Sequence, residues 1–139
     1  MDNAWAIELG STIYSIVKAK ATEQLKDKYP TLNVTDKGES DQPAAFPTVY
    51  IHELSGMELG QDLEGQTINA VRETIQVDVT SNKNHSECRK IVSKITDIYK
   101  QMRFSVTGTP QYSVNGGTYI CNMRFSRVFG AGDNIIVSN

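Results

Sequence analysis

The sequence predicts an α+β domain: a mainly antiparallel β-sheet with two amphipathic helices packed on one face. Three observations carry this. Between Thr67 and Met102 the hydrophobic period changes once, from strand-like alternation to helical spacing. Strand-like runs stand close together in sequence, joined by turn-forming segments, which favours antiparallel neighbours. Two separate stretches carry an apolar stripe at three- and four-residue spacing, enough to cover one sheet face. At 139 residues and 39% hydrophobic, one domain over 1–139 is expected. A chain of about this size hides roughly 68–70% of its unfolded surface, so its core needs no metal or disulfide staple.

The first element is a helix from about Asn3 to Lys28, with Trp5, Leu9, Ile13, Ile16, Val17, Ala21 and Leu25 as its apolar stripe. Tyr29-Pro30 ends it, because the residue before proline is pushed out of the helical region. Thr31 to Val34 can form a short strand, and Asp36 to Pro43 is a polar loop rich in turn formers. Phe46 to Leu54 reads as the first long strand, with its proline at the start. A loop is expected from Ser55 to Gln66. Val71, Ile75, Val77 and Val79 then alternate with polar residues as in a half-buried strand. After Ser81-Asn82-Lys83 comes the second helix, with Cys88, Ile91, Val92, Ile95, Ile98, Tyr99 and Met102 on one face. Asn84, three residues before Glu87, is placed to cap it.

Phe104 to Tyr112 reads as a strand interrupted at Gly108 and Pro110. Asn115-Gly116-Gly117 is a hairpin signal, since these residues tolerate the positive φ of a tight turn. The partner strand is Thr118 to Phe129, with Tyr119, Cys121, Met123, Phe125 and Phe129 on one face. Gly130 to Asp133 turns the chain, and Ile135-Ile136-Val137 is expected to be a last short strand. An exposed apolar edge of that kind invites pairing, so it is expected to join a sheet, of its own subunit or a neighbour.

The residues offer little chemistry. Gly60 to Thr67 has the spacing of a phosphate-binding loop, but Gln66 stands where the lysine is needed, Asp62 and Glu64 would repel phosphate, and a strand follows. His52 and His85 have no second ligand at helical spacing, so no metal site is expected. There is no G-x-S-x-G elbow. Cys88 and Cys121 fall on apolar faces, where thiolate is disfavoured, and read as reduced core residues. Asn33-Val34-Thr35 and Asn84-His85-Ser86 match the glycosylation pattern by chance. The acid in Met1-Asp2-Asn3 stands where a signal peptide carries a basic flank, so export by that route is not expected. No apolar run approaches membrane-spanning length. No enzyme activity and no cofactor are expected.

Charge is more informative. Glu53, Glu58, Asp62 and Glu64 occupy 53–66 without a basic residue, whereas Lys83, Arg89, Lys90, Lys94, Lys100 and Arg103 outnumber Glu87 and Asp97 between 83 and 103. Two readings stay open: two solvated faces of opposite sign, or an acidic loop of one subunit meeting the basic helix of another. The net charge of −2 speaks against a dedicated nucleic-acid surface.

Three segments together resemble the tail terminator proteins of tailed bacteriophages, also called tail completion or head–tail joining proteins. Phe46 to Leu54 is similar to the family's F-P-x-hydrophobic-x-hydrophobic strand with acidic residues at its end. Glu73 to Asn82 is similar to the Q-V-D-V-like strand before the long helix. Met102-Arg103-Phe104 with Tyr119 to Phe125 is similar to the closing hairpin, although many relatives have a glycine before the first aromatic residue. The resemblance implies a ring, usually hexameric, that caps the tail tube, stops its polymerisation and joins it to the neck or connector of the head. Genomic DNA would pass through the lumen without specific binding. It implies a virion protein assembled in the host cytoplasm, with no membrane, catalysis or cofactor. Glu58, Asp62 and Glu64 become candidates for a lumen or subunit contact, with Arg89, Lys90 and Lys94 and the Ile135, Ile136, Val137 segment as further interface candidates. The alternatives are another neck component, such as a stopper or head-closure protein, or a monomeric cytoplasmic ligand-binding or regulatory domain.

Overall fold

The computed structural model describes residues 3–37, 45–61, 68–108 and 110–135. Helix α1 spans Ala4–Leu25, strand β1 Asn33–Thr35, β2 Thr48–Gln61 and β3 Ile68–Ser81. Helix α2 spans His85–Gln101, followed by β4 Ser105–Val106, β5 Gln111–Asn115 and β6 Thr118–Gly130. The described strands form one sheet in the order β1-β2-β3-β6-β4, with β5 also on β6. Every pairing is antiparallel except β1 with β2. The fold is thus α+β, with both helices on one face of the sheet.

The amphipathic stripes dictate this arrangement. Leu9, Ile13, Val17, Ala21 and Leu25 of α1 and Cys88, Ile91, Val92, Ile95, Ile98 and Tyr99 of α2 are buried against Val49, Ile51, Ile75, Val77, Val79, Cys121, Met123 and Phe125 of the strands. At the centre the Tyr99 ring stacks on Phe125 (centroids 4.4 Å apart, planes at 12°), and Phe104 meets it edge-on at 5.2 Å. Asn84 caps α2 as expected, its side chain accepting the Glu87 N–H at 2.8 Å.

Several boundaries differ from expectation. The helix expected to Lys28 ends at Leu25, with turns continuing to Lys28. The first strand pairs at Asn33–Thr35 rather than 31–34, and the long strand begins at Thr48, after its proline. Over Ser55 to Gln61 the expected loop is a correction, because β2 continues through Gln61; the rest of that loop, to Gln66, lies outside the described residues. Register shifts between Leu54 and Met57 and between Glu58 and Gln61 accommodate the residues that look like turn formers, Gly56 and Gly60, as bulges. The expected Phe104–Tyr112 strand is two pieces, β4 and β5, lying along the same side of β6, with Gly108 (φ 115°) at the break. The Asn115–Thr118 hairpin closes through Gly116 and Gly117 at φ 56° and 84°. Ile135 is a second correction: it lies in a bend, not a strand, half-buried against the core. A bend there lets Arg127 collect the Ile135 and Asn134 carbonyls at 3.2 and 2.8 Å. Ile136 and Val137 lie outside the described residues.

Helix α2 ends in a Schellman motif. Phe104 N–H donates to the Tyr99 carbonyl at 3.0 Å and Arg103 N–H to the Lys100 carbonyl at 2.9 Å, while the Phe104 ring packs on Tyr99. The residue that must turn left-handed is Arg103, at φ 61°, where glycine is the usual occupant. The turn is therefore the ordinary one, made by a residue that disfavours it. Arg103→Gly is expected to stabilise the protein by about 0.5–1 kcal/mol, after the entropy that glycine adds to the unfolded chain. A rise in the denaturant midpoint with unchanged slope checks this.

Candidate functional site

Helix α2 divides its residues cleanly. Cys88, Ile91, Val92 and Ile95 face the core, which leaves Arg89, Lys90, Ser93 and Lys94 exposed on the other side. The end of α1 arrives beside them. After Leu25 the chain turns, and Tyr29 folds back with its N–H on the Leu25 carbonyl at 2.9 Å. Between the two helices runs a groove of about 390 Å³, floored by Leu25 and Tyr29 and walled by Gln24, Lys28, Arg89, Lys90, Ser93 and Lys94.

This groove is a concentration of positive charge on a chain whose net charge is −2. Lys28 lies 5.8 Å from the Tyr29 ring and Arg89 lies 5.0 Å from the Tyr112 ring, so aromatic faces hold two of the four cations. Lys90 and Lys94 make no ion pair among the described residues. Glu87, at the rim, is 4.0 Å from Lys83. It also sits close enough to Tyr29 to push that hydroxyl's pKa upward, after the larger effect of burial. Like charges one helical turn apart destabilise a helix by about 0.2–0.5 kcal/mol, so Lys90 and Lys94 cost the isolated fold something. A partner carrying acidic groups would remove that cost.

The structure therefore joins the predicted Arg89, Lys90 and Lys94 and adds Lys28 and Tyr29, which the sequence reading missed. The missed signal was Lys28 standing three residues beyond Leu25, the last rung of the apolar stripe. Glu58 lies in β2 opposite Val71, well away from this groove in the strand order. Asp62 and Glu64, the other two acidic candidates, lie outside the described residues.

The sheet face away from the helices carries a polar ladder across β2, β3 and β6. Tyr50 and His52 stack at 4.5 Å, His52 Nε2 lies 3.2 Å from an Asp78 oxygen, and Gln76 donates to the other Asp78 oxygen at 3.0 Å. Arg124 Nε in turn donates to Gln76 at 2.9 Å. These residues alternate with the buried set, so His52 points outward as its strand phase predicts. A cleft of about 440 Å³ opens beside the ladder where the chain breaks between β4 and β5, lined by Gln76, Thr107, Gly108, Gln111, Asn122 and Arg124. Among its lining side chains Arg124 is hydrogen-bonded to Gln76, and among the described residues no cysteine, histidine or carboxylate lines it.

Both cysteines are free and buried. The Cys88 thiol donates to the Tyr119 carbonyl at 3.2 Å, and burial, then Cys121 and Glu87, push it up to about 11. A thiol so held is no nucleophile at neutral pH. Gly60 to Thr67 is followed by β3, a strand, where a phosphate-binding loop needs a helix. Among the described residues no three of His, Cys, Asp or Glu converge to hold a metal ion, and no helix is long and apolar enough to cross a membrane.

No protein-family model matches this chain, and neither does any curated protein.

Proposed function

We propose that this chain is a structural subunit of a ring that caps the tail tube of a tailed bacteriophage, halts its polymerisation and joins it to the neck or connector of the head. The observation that carries the reading is an open edge. Of the 14 residues of β2, only Thr48, Val49 and Tyr50 have a partner in β1. Among the described residues the rest of that strand is paired with β3 alone. A long unpaired edge is ordinarily blunted or covered, and a neighbouring copy would cover it. The basic groove supports the same reading, because it is a patch distinct from β2, the strand that carries Glu58. A contact that joins two different patches of the same chain is head-to-tail, and such contacts close into rings when the rotation permits.

On this reading the chain works by shape, edge pairing and charge, and the genomic DNA passes the lumen without being gripped. The test is assembly. Purified chain mixed with purified tail tubes should give rings, hexameric by the resemblance, visible by electron microscopy at the tube ends, and should stop tube growth. A chain that stays monomeric with tubes present, leaves their ends bare and binds a metabolite would replace this reading with the regulatory-domain alternative.

A further inference from the structure

A carboxylate sits where the strand pattern calls for an apolar side chain. Glu73 belongs to the inward phase of β3, with Val71, Ile75, Val77 and Val79, and is only 2% exposed. Its Oε2 has no hydrogen-bond partner. Beside it on β2, two residues along the inward phase from Ile51, is the exposed Glu53, which hydrogen-bonds with Glu73. Over the pair lies α1 at Gly10. A Cβ at position 10 would overlap the Glu53 carboxylate, so glycine is what lets the helix backbone close onto the acid.

We propose that Glu53 and Glu73 share a proton and form a pH-sensitive latch beneath the N-terminal half of α1, closed when the proton is held and loosened when both carboxyls ionise. Burial first, then the Glu53 charge and the hydrogen bond with Glu53, push Glu73 up to about 7. Glu53, being exposed, connects the pair to solvent. Among the described residues no cation offsets the second charge. Arg127 is the register partner of Glu73 on β6, but its guanidinium lies over the Phe129 ring at 4.0 Å and donates to the Met102, Asn134 and Ile135 carbonyls. Arg103 and Asp133 act on Arg127 instead. On α1, Glu8 is exposed and lines the cavity beside Trp5 and Ile135, so it supplies no positive charge to the pair. Two bare carboxylates within hydrogen-bonding reach of each other under a helix backbone favour separation, and in the proposed latch the start of α1 gives way.

That end of the helix carries its own reporter. Trp5, the chain's one tryptophan, packs partly buried against the core beside a cavity of about 200 Å³ lined by Leu9, Phe129 and Ile135. In the full chain, Trp5 emission and its quenching by acrylamide are expected to follow a single-proton curve centred near pH 7, with more quenching on the alkaline side. Glu73→Gln should abolish the curve and hold Trp5 in its acid-form state, while Glu53→Gln should move the midpoint downward. Both variants keep His52 and His85, so a histidine origin would leave the curve intact in Glu73→Gln and overturn the proposal. A flat Trp5 signal in the unaltered chain would overturn it as well. Stability supplies an independent readout should Glu73→Gln fold poorly. A carboxyl at its ordinary 4.5 when unfolded and raised when native binds more protons in the native state, so stability falls as pH rises from about 4.5 to 7 and levels above. The unfolding constant of the unaltered chain should rise by up to about tenfold per pH unit across that window, and by less in Glu53→Gln. Equal slopes in the two would also count against the latch.

Discussion

Tyr99→Phe is expected to raise the stability of the fold by about 1 kcal/mol, whereas Tyr99→Ala is expected to remove about 3–5 kcal/mol. The two effects come from opposite ends of one side chain. The ring is fully buried, stacked on Phe125 and met edge-on by Phe104, which itself touches Phe129 at 5.7 Å. Aromatic pairs of this geometry contribute beyond the area they bury. Removing the ring forfeits those contacts and leaves a cavity where α2, β4 and β6 converge, which collapses only partly. The hydroxyl is a different matter. It has no hydrogen-bond partner and its pKa is raised by burial alone, so it was desolvated without compensation. Phenylalanine keeps the ring and discards the stranded group. Denaturant unfolding of the three proteins separates the two terms. Equal or lower stability of Tyr99→Phe would mean that the hydroxyl is satisfied in solution, by a water for example. Since domains are stable by only about 5–15 kcal/mol, Tyr99→Ala should bring the chain close to unfolding at ordinary temperature.

How much of this was legible in the sequence depends on which physics set each feature. Local rules wrote the cap and the hairpin. Asn84 with Glu87, and Asn115 with the two glycines after it, act within a few residues and stand in the structure as the sequence implies. Periodicity wrote the core: the apolar stripes of α1 and α2 and the inward phases of β3 and β6 are the buried set. The far part of β2 was not legible because Ser55, Gly56 and Gly60 carry a turn-like composition, whereas pairing with β3 absorbs them as bulges. Glu73 was hidden for a related reason. A carboxylate in an apolar phase is read as an interruption unless its neighbour is known, and Glu53 comes from another strand. The basic groove was half legible. Spacing along α2 places Arg89, Lys90 and Lys94 together, but only the packing of α1 on α2 brings Lys28 and Tyr29 to them. Arg103 shows the reverse case, a helix-ending position where glycine is the usual occupant and the backbone takes the left-handed turn with arginine in place.

If the chain assembles head-to-tail as proposed, reversing the groove should abolish assembly, and reversing the acidic counterpart as well should restore it. With Arg89→Glu, Lys90→Glu and Lys94→Glu combined, rings are expected to be lost while the monomer stays folded. These three side chains are exposed, and exposed substitutions away from caps and buried networks usually change stability by about 0.5 kcal/mol or less. The complementary triple, Glu58→Lys, Asp62→Lys and Glu64→Lys, should lose rings in the same way, because like charges then face each other at the contact. Joining the six changes puts opposite signs together again with the patches exchanged. Close charge pairs across interfaces couple by about 1.5–7 kcal/mol, so even one restored pair should recover assembly at least tenfold over either triple. Salt gives the second axis: contacts of this kind weaken as the screening length shortens from about 8 Å at physiological ionic strength to about 3 Å at 1 M, while pairing along the β2 edge does not. Rings that survive both triples would assign the contact to the strand edge alone. Rings lost in each triple and still absent when the triples are joined would mean that the two patches meet different partners, the basic groove facing the tube or the neck rather than a sister subunit. Only recovery in the joined variant, lost again at high salt, places the acidic end of one copy in the groove of the next.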